Sequence, residues 1–311
     1  MPNLSEYAVL MKEEWNRRLE LDADFWMAEW PESPEAWTAS GERDFHALVC
    51  EEMREKGAGV RVLEYGCGTG RLTQVAARYF GLVRGVDISD TAISNARSRL
   101  SSFTNVSLST CDGTTLSGEA SASYDLIFSY AVLNHLNSTV LASVLGEMVR
   151  VLEVGGRLSL HLYVGDYPKL PDSSDTHTVR GYSSDQLKEV FRKLGCAVPS
   201  LTPCSLPFDG DFEKCLKPTI VETSKVQSGT SYAPEELGVI LEGNRDISPD
   251  SYIECNVLYD RFNRLVKQGE TIRAVETARF LLTRETRMSH LVTIKHAIAL
   301  LEQAHEYPVR K

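Results

Sequence analysis

Apolar positions change period along this chain, and the changes mark out its elements. Val60 to Tyr65 is a short β-favouring run of the kind buried in a parallel sheet. Immediately beyond it Leu72, Val75, Ala76 and Tyr79 recur at helical spacing, as do Leu141, Val144, Leu145, Met148 and Leu152. Ser183-Ser184-Asp185-Gln186 reads as a capping box opening a helix that buries Leu187, Val190, Phe191 and Leu194 and stops at Gly195. Two β-like stretches follow, near Cys196 to Thr202 and Thr219 to Val226. From about 59 to 228 strand and helix signals alternate, which predicts an α/β doubly wound sheet.

Two flanking parts differ in pattern. Residues 1–58 are rich in acidic and aromatic residues, hold all four tryptophans and are broken by Pro31 and Pro34. Residues 229–311 begin with a linker-like stretch, Gly229 to Pro249, followed by helical stretches at Tyr252 to Lys267, Glu270 to Leu282 and Ser289 to Ala304. In the last of these Leu291, Ile294, Ile298 and Leu301 form an apolar stripe opposite Lys295 and Glu302. The segment Phe262 to Glu270, with Gly269 at its turn, has the look of a helical hairpin, but no repeat is sustained. Packing against the domain at 59–228 or self-association, a homodimer through these helices, is the expectation for this part.

The junction between the first strand and its helix carries the chemistry. Gly66, Gly68 and Gly70 permit positive φ and clear side chains from where backbone approaches a ligand. The helix N-terminus they lead into offers free N–H groups to an anion. A dinucleotide fingerprint would need glycine at position 71, which is Arg71, and no Lys-Ser or Lys-Thr follows as a P-loop requires.

The run Glu64-Tyr65-Gly66-Cys67-Gly68-Thr69-Gly70 resembles the E/D-x-G-x-G-x-G motif of class I S-adenosylmethionine-dependent methyltransferases. The resemblance continues in order. Leu82 to Ser89 is similar to the second strand, implying that Asp87 binds the ribose hydroxyls and that Ile88 lies beside the cofactor. Asn105 to Thr110 leads into Cys111-Asp112-Gly113, which resembles the adenine-binding segment with Asp112 facing the exocyclic amine. Tyr124 to Tyr130 resembles the fourth strand, whose end, at Ser129, passes the methionine part of the cofactor. Leu152 to Arg157 resembles the helix-turn into a fifth strand, Leu158 to Val164, and the two later β-like stretches match the last two strands of a seven-stranded sheet. The resemblance thus implies a Rossmann-like methyltransferase domain over 59–228 with helices on both faces, an N-terminal helical cap over 1–58 and a C-terminal α-helical extension over 229–311.

The site residues that follow are Glu64, Gly66, Cys67, Gly68, Gly70, Asp87, Ile88, Asp112, Gly113 and Ser129 for the cofactor, S-adenosyl-L-methionine. Glu64 reads equally well as a residue that orients the loop, and Asp125 as one that orients its strand. Methyl transfer is an SN2 displacement in which alignment does most of the work, with a general base where the acceptor is a hydroxyl. His135 is the candidate base, against its reading as a packed or capping residue, while His161 within the fifth strand reads as a hydrogen-bonded core residue. Trp26, Tyr130 and Tyr163, with Asp166 and Tyr167 nearby, are candidates for lining the acceptor pocket. The cap aromatics either enclose substrate or staple a helical arm to the core.

Composition narrows the acceptor. A net charge of −10, with no Lys/Arg cluster interleaved with aromatics, argues against nucleic acid and leaves a small molecule as the expected methyl acceptor, at O or N. The 311 residues contain no apolar run long enough to span a bilayer and no signal core at the N-terminus, so no membrane partner and a cytoplasmic location are expected. Seven scattered cysteines, never spaced Cys-x-x-Cys, favour neither a disulfide framework nor a zinc site, and no metal is expected. Two other functions fit parts of the pattern: a cofactor-binding regulator or scaffold that recruits a partner through its C-terminal helices, and a nicotinamide-dependent oxidoreductase.

Overall fold

The computed structural model describes residues 4–28, 33–165, 180–204, 217–228, 233–242, 262, 265–266 and 269–282. The chain divides into two compact units, residues 1–247 and 248–311.

The first unit is built on a mixed sheet. Its strands are β1 (Arg61–Tyr65), β2 (Leu82–Asp87), β3 (Val106–Thr110), β4 (Tyr124–Ser129), β5 (Leu152–Val164), β6 (Gly181–Tyr182), β7 (Ser200–Pro203) and β8 (Lys217–Ser224). They lie in the order β3-β2-β1-β4-β5-β8-β7, and the two-residue β6 adds an eighth strand to the expected seven by pairing with the end of β5. Strands β1 to β5 pair in parallel, whereas β8 runs antiparallel to both β5 and β7. The order reverses between β1 and β4, so the carboxyl ends of those strands open a crevice where ligands of such sheets sit.

Successive strand residues point to opposite faces, and both faces are buried. On one side Leu63, Ile127, Leu158, Leu160 and Leu162 pack with Leu141, Leu145 and Met148 of α6 (Ser138–Val151) and Leu187, Val190 and Phe191 of α7 (Ser184–Lys193). On the other Val62, Leu126 and Phe128 pack with Phe45 and Leu48 of α2 (Pro34–Leu48) and Val75 and Ala76 of α4 (Thr73–Tyr79). The helix starts are where the sequence puts them. Ser183 and Gln186 form the capping box of α7, and Gly195 follows it at φ 74°. Asp125 orients its strand, its carboxylate accepting from the backbone N–H and guanidinium of Arg61.

Two expectations are corrected. The glycines of Leu152 to Arg157 do not make a turn ahead of the fifth strand: β5 already begins at Leu152, straight after α6. Gly155 at φ 83° and Gly156 exchange backbone hydrogen bonds with Lys225, so the kink is absorbed as an irregularity within a paired strand. Within the linker-like stretch stands α8 (Pro234–Glu242), whose Leu237 and Leu241 are buried in the core cluster of α6 and α7. Gln186 holds it, donating to the carbonyl of Ile240 at 2.8 Å.

The N-terminal part is helical: α1 (Leu4–Ala28), interrupted at Asp22, then α2 and α3 (Glu51–Glu55). Asn16 of α1 accepts from the hydroxyl of Ser89, the N-cap of α5 (Asp90–Arg99), and Lys12 pairs with Asp90 at 2.7 Å. The arm is thereby tied to the carboxyl end of β2. In the second unit Gly269, at φ 75°, turns the chain into α9 (Thr271–Leu282), and Glu270 N–H donates to the carbonyl of Leu265. The helical stretch expected at 289–304 lies outside the described residues, as does most of 252–267. No helix among the described residues is long and apolar enough to cross a membrane.

Candidate functional site

The glycine loop after β1 is fixed by the strand beside it. The N–H groups of Gly66 and Cys67 both donate to the carbonyl of Val86, at 2.8 and 3.0 Å. Gly68 N–H donates to Asp87 Oδ2 at 2.8 Å and Ser89 N–H to Oδ1 at 2.9 Å. Gly66 and Gly68 have φ of 75° and 53°, the left-handed region in which a side chain would be strained. A carboxylate offers about four lone-pair sites, so Asp87 keeps acceptor capacity for a ligand beyond its backbone donors. Burial raises its pKa, opposed by the backbone donors of Ser89, Gly68 and Ile88.

Loop, sheet edge and arm enclose one cavity. Glu64, Gly66, Cys67, Gly68, Asp87 and Ile88 line one side, Tyr130, Ala131, Val132 and His135 a second, and Met11, Trp15, Trp26 and Met27 of α1 a third. Trp26 and Tyr130, expected at the acceptor pocket, are therefore both on its wall. Ala131 adopts φ 57°, uncommon for a residue with a side chain, in the turn that brings β4 to the cavity.

Glu64 is buried at the base. It contacts no backbone N–H of the loop; Oε2 accepts from the Thr73 hydroxyl at 2.5 Å. Burial pushes its pKa from 4.5 up to about 8, against the Thr73 hydrogen bond and the charge of Arg71. Folding therefore takes up a proton here, and the stability that this proton carries is present below pH 4.5 and lost as pH rises through about 8. The slope is at most about 1.4 kcal/mol per pH unit. In Glu64→Gln that component of the pH dependence is expected to vanish, which denaturant unfolding at pH 5.5, 7 and 8.5 would reveal. An undiminished slope in the variant would place the proton uptake elsewhere.

His135 closes a single helical turn, Leu133–His135, with its ring 5.7 Å from that of Trp15. Its carbonyl accepts from Arg180 and from the Tyr7 hydroxyl, so its backbone is anchored independently of the imidazole. Asn134 Nδ2 lies 3.2 Å from Nε2, while Asn134 Oδ1 is buried with no partner among the described residues. The amide N–H of Asn134 thus faces Nε2 and is a donor to that nitrogen when it carries the ring's lone pair.

Other expected residues stand apart from the cavity wall. Asp112 turns on its own loop, accepting from the N–H and hydroxyl groups of Thr114 and Thr115. Its neighbour Cys111 reaches the wall instead, and Gly113 supports Ile88, whose Cδ1 lies 2.4 Å from where a Cβ would be. Gly70 packs on Leu100. Ser129 donates to the carbonyl of Tyr65 at 2.8 Å, tying β4 to β1. Tyr163 lies edge-on to His161, and Asp166 and Tyr167 are outside the described residues. The expectation for His161 is corrected: it is buried, yet neither ring nitrogen has a hydrogen-bond partner among the described residues. Among the described residues no cluster of His, Cys, Asp and Glu could hold a metal ion.

Arg71 and Met27 are wall residues that pattern reading missed, and Trp15 reaches the wall as one of the cap aromatics. Arg71 entered only as the residue that breaks a dinucleotide fingerprint. It pairs with Asp44 of α2 at 2.6 Å and lies over the Tyr130 ring at 5.7 Å, fastening the N-terminal helices to the glycine loop. Trp15 carried the signal of an aromatic in an amphipathic arm; Met27 carried none.

The strand order, the reversed β8 and the loop at the switch point define the class I methyltransferase fold. Residues 62–156 match the family described as a methyltransferase domain. Demethylmenaquinone methyltransferase of Tropheryma whipplei (strain Twist) is 34% identical over 101 residues, which are 32% of this chain and 41% of that protein. The chain thus spans about two fifths of this curated relative's length. Among solved structures, the 1,6-didemethyltoxoflavin-N1-methyltransferase of Burkholderia thailandensis, with 1,6-didemethyltoxoflavin and S-adenosylhomocysteine bound, superimposes with a TM-score of 0.56 at 17% identity, covering 73% of this chain and 92% of that one. Magnesium protoporphyrin IX methyltransferase from Synechocystis PCC 6803, with its S-adenosylmethionine, gives 0.51 at 16% identity, covering 70% and 97%.

Proposed function

We propose that this protein binds S-adenosyl-L-methionine in the cavity at the β1–β4 switch point and transfers its methyl group to the O or N of a small molecule. The observation that carries the reading is Asp87, whose carboxylate braces the glycine loop through Gly68 and faces the cavity with acceptor capacity left for a ligand. A ribose diol supplies the hydroxyl donors for it. Gly66, Cys67 and Gly68 bring bare backbone to the cofactor, Ile88 and Cys111 pack beside its base, and Glu64, protonated at neutral pH, completes the floor. Arg71 is a cation for the cofactor's carboxylate. Trp26 and Tyr130 face the acceptor, and His135 is its base.

The net charge of −10 supports a small-molecule acceptor over nucleic acid, as do the acceptors in the names of the similar proteins. A cytoplasmic location and self-association through residues 229–311 belong to the same proposal.

Calorimetric titration with S-adenosylhomocysteine and with NAD tests it: the first is expected to bind and the second not. Tight binding of NAD alone would replace this reading with the oxidoreductase one. Asp87→Ala is expected to weaken S-adenosylhomocysteine binding by about 1.5–3 kcal/mol, the value of hydrogen bonds to a charged group, with the fold retained. Unchanged affinity in that variant would remove the ribose assignment.

A further inference from the structure

The carboxyl group at the floor of the cavity has little to hold a charge. Glu64 is 3% exposed, and among the described residues its carboxyl accepts a hydrogen bond only from the Thr73 hydroxyl. Asp87, on the same wall, accepts from two backbone N–H groups. Among the described residues Arg71 is the one Lys or Arg side chain lining the cavity, and it already pairs with Asp44 at 2.6 Å. The other titratable groups on the wall are Tyr65, Cys67, Cys111, Tyr130 and His135, and burial raises the pKa of the first four, so they stay neutral near pH 7. From α1 come Met11, Trp15, Leu19, Trp26 and Met27, none of which titrates. Two carboxyl groups thus face the cavity against one arginine whose charge is met by a third. In the empty cavity burial, with the charge of Asp87, outweighs Thr73 and Arg71 and holds Glu64 protonated up to about pH 8.

We propose that Glu64 selects the charged cofactor over its demethylated product, giving up its proton when a sulfonium cation enters the cavity and keeping it when the uncharged thioether of S-adenosylhomocysteine does. The proposal rests on the methyltransferase reading of this cavity. An opposite charge favours the ionised form of a carboxyl group, and the attraction is strong where burial keeps water out. The two ligands share adenosine, carboxylate and ammonium and differ by one methyl group and one positive charge. Contacts made by Asp87 and Arg71 to the shared groups therefore cancel between them, and the difference falls on the residue whose charge can change. Because a proton leaves on binding, affinity for S-adenosylmethionine rises with pH until the free protein itself loses that proton, near pH 8. Affinity for S-adenosylhomocysteine has no such slope from Glu64. Discrimination of this kind limits occupation of the site by spent cofactor.

The test is calorimetric titration of the full chain with each ligand, in buffers of different ionisation enthalpy, so that released protons are counted. At pH 7 S-adenosylmethionine is expected to release about 0.5–0.9 proton more than S-adenosylhomocysteine. The ratio of the two affinities should grow about 10-fold from pH 6 to pH 8, which is about 1.4 kcal/mol. Glu64→Gln keeps an acceptor for the Thr73 hydroxyl but cannot ionise. It should bind S-adenosylhomocysteine within a few-fold of wild type and lose both the excess proton and the growth of the ratio. Carboxyl 13C spectra of wild type read the same event without a variant: one glutamate signal should move to its ionised position with S-adenosylmethionine and stay in place with S-adenosylhomocysteine. Equal proton release by the two ligands, an excess that survives Glu64→Gln, or no glutamate signal that responds to S-adenosylmethionine alone would overturn the proposal. Failure of both ligands to bind would overturn the methyltransferase reading itself.

Discussion

Gly66→Val is expected to destabilise the first unit by about 2–5 kcal/mol and to abolish measurable binding of S-adenosylhomocysteine. Two independent costs add. A β-branched residue at φ 75° stands in the left-handed region, worth about 1–2 kcal/mol. A Cβ at this position would also lie 2.4 Å from Val132 Cγ2 and 2.7 Å from Cγ1, and overpacking of this kind costs about 1–3 kcal/mol. Relief requires the loop to move from Val86, whose carbonyl holds the Gly66 and Cys67 N–H groups, and this displaces Gly68 from Asp87. Gly57→Val separates the two costs, because Gly57 has φ 64° but nothing within 4 Å of its missing Cβ. Denaturant unfolding of both variants should place Gly66→Val well below Gly57→Val; equal losses would mean that Val132 yields without cost.

His135→Ala is expected to lower methyl transfer about 10²-fold or more while leaving S-adenosylhomocysteine affinity within a few-fold of wild type. The fold should tolerate the change, since Tyr7 and Arg180 hold the carbonyl of residue 135 and not its ring. The measurement is single-turnover transfer from methyl-labelled cofactor to whichever acceptor supports turnover. A normal rate in His135→Ala would return this histidine to a packing role against Trp15.

The parts of the fold that could be read in advance are those whose causes are local. The glycine loop, the capping box at Ser183 and the turn at Gly269 each follow from residues within a few positions, because positive φ and N-cap hydrogen bonds are properties of short segments. The start of β5 was misread for the same reason. Gly155-Gly156 has the composition of a turn, and only pairing with Lys225, about 70 residues away, keeps it in a strand. The helix α8 was hidden in a linker-like stretch because its burial depends on α6 and α7 rather than on its own sequence. Asp112 could have been read differently: a carboxylate followed two and three residues later by Thr114 and Thr115 is a local turn, as the structure shows.

For the site, the amino-acid sequence by itself determined the loop, the acidic residue beside it and the alternation of strands and helices, since backbone conformation and alternation of elements are written residue by residue. Tertiary structure alone decided which face of the arm meets that loop. Trp15 and Met27 come to the wall, Arg71 turns from a missing glycine into a tether for Asp44, and His161 is buried with its nitrogens unpaired among the described residues. These are relations between elements far apart in the chain, and burial, charge pairing and orphaned polar atoms exist only once those elements have packed.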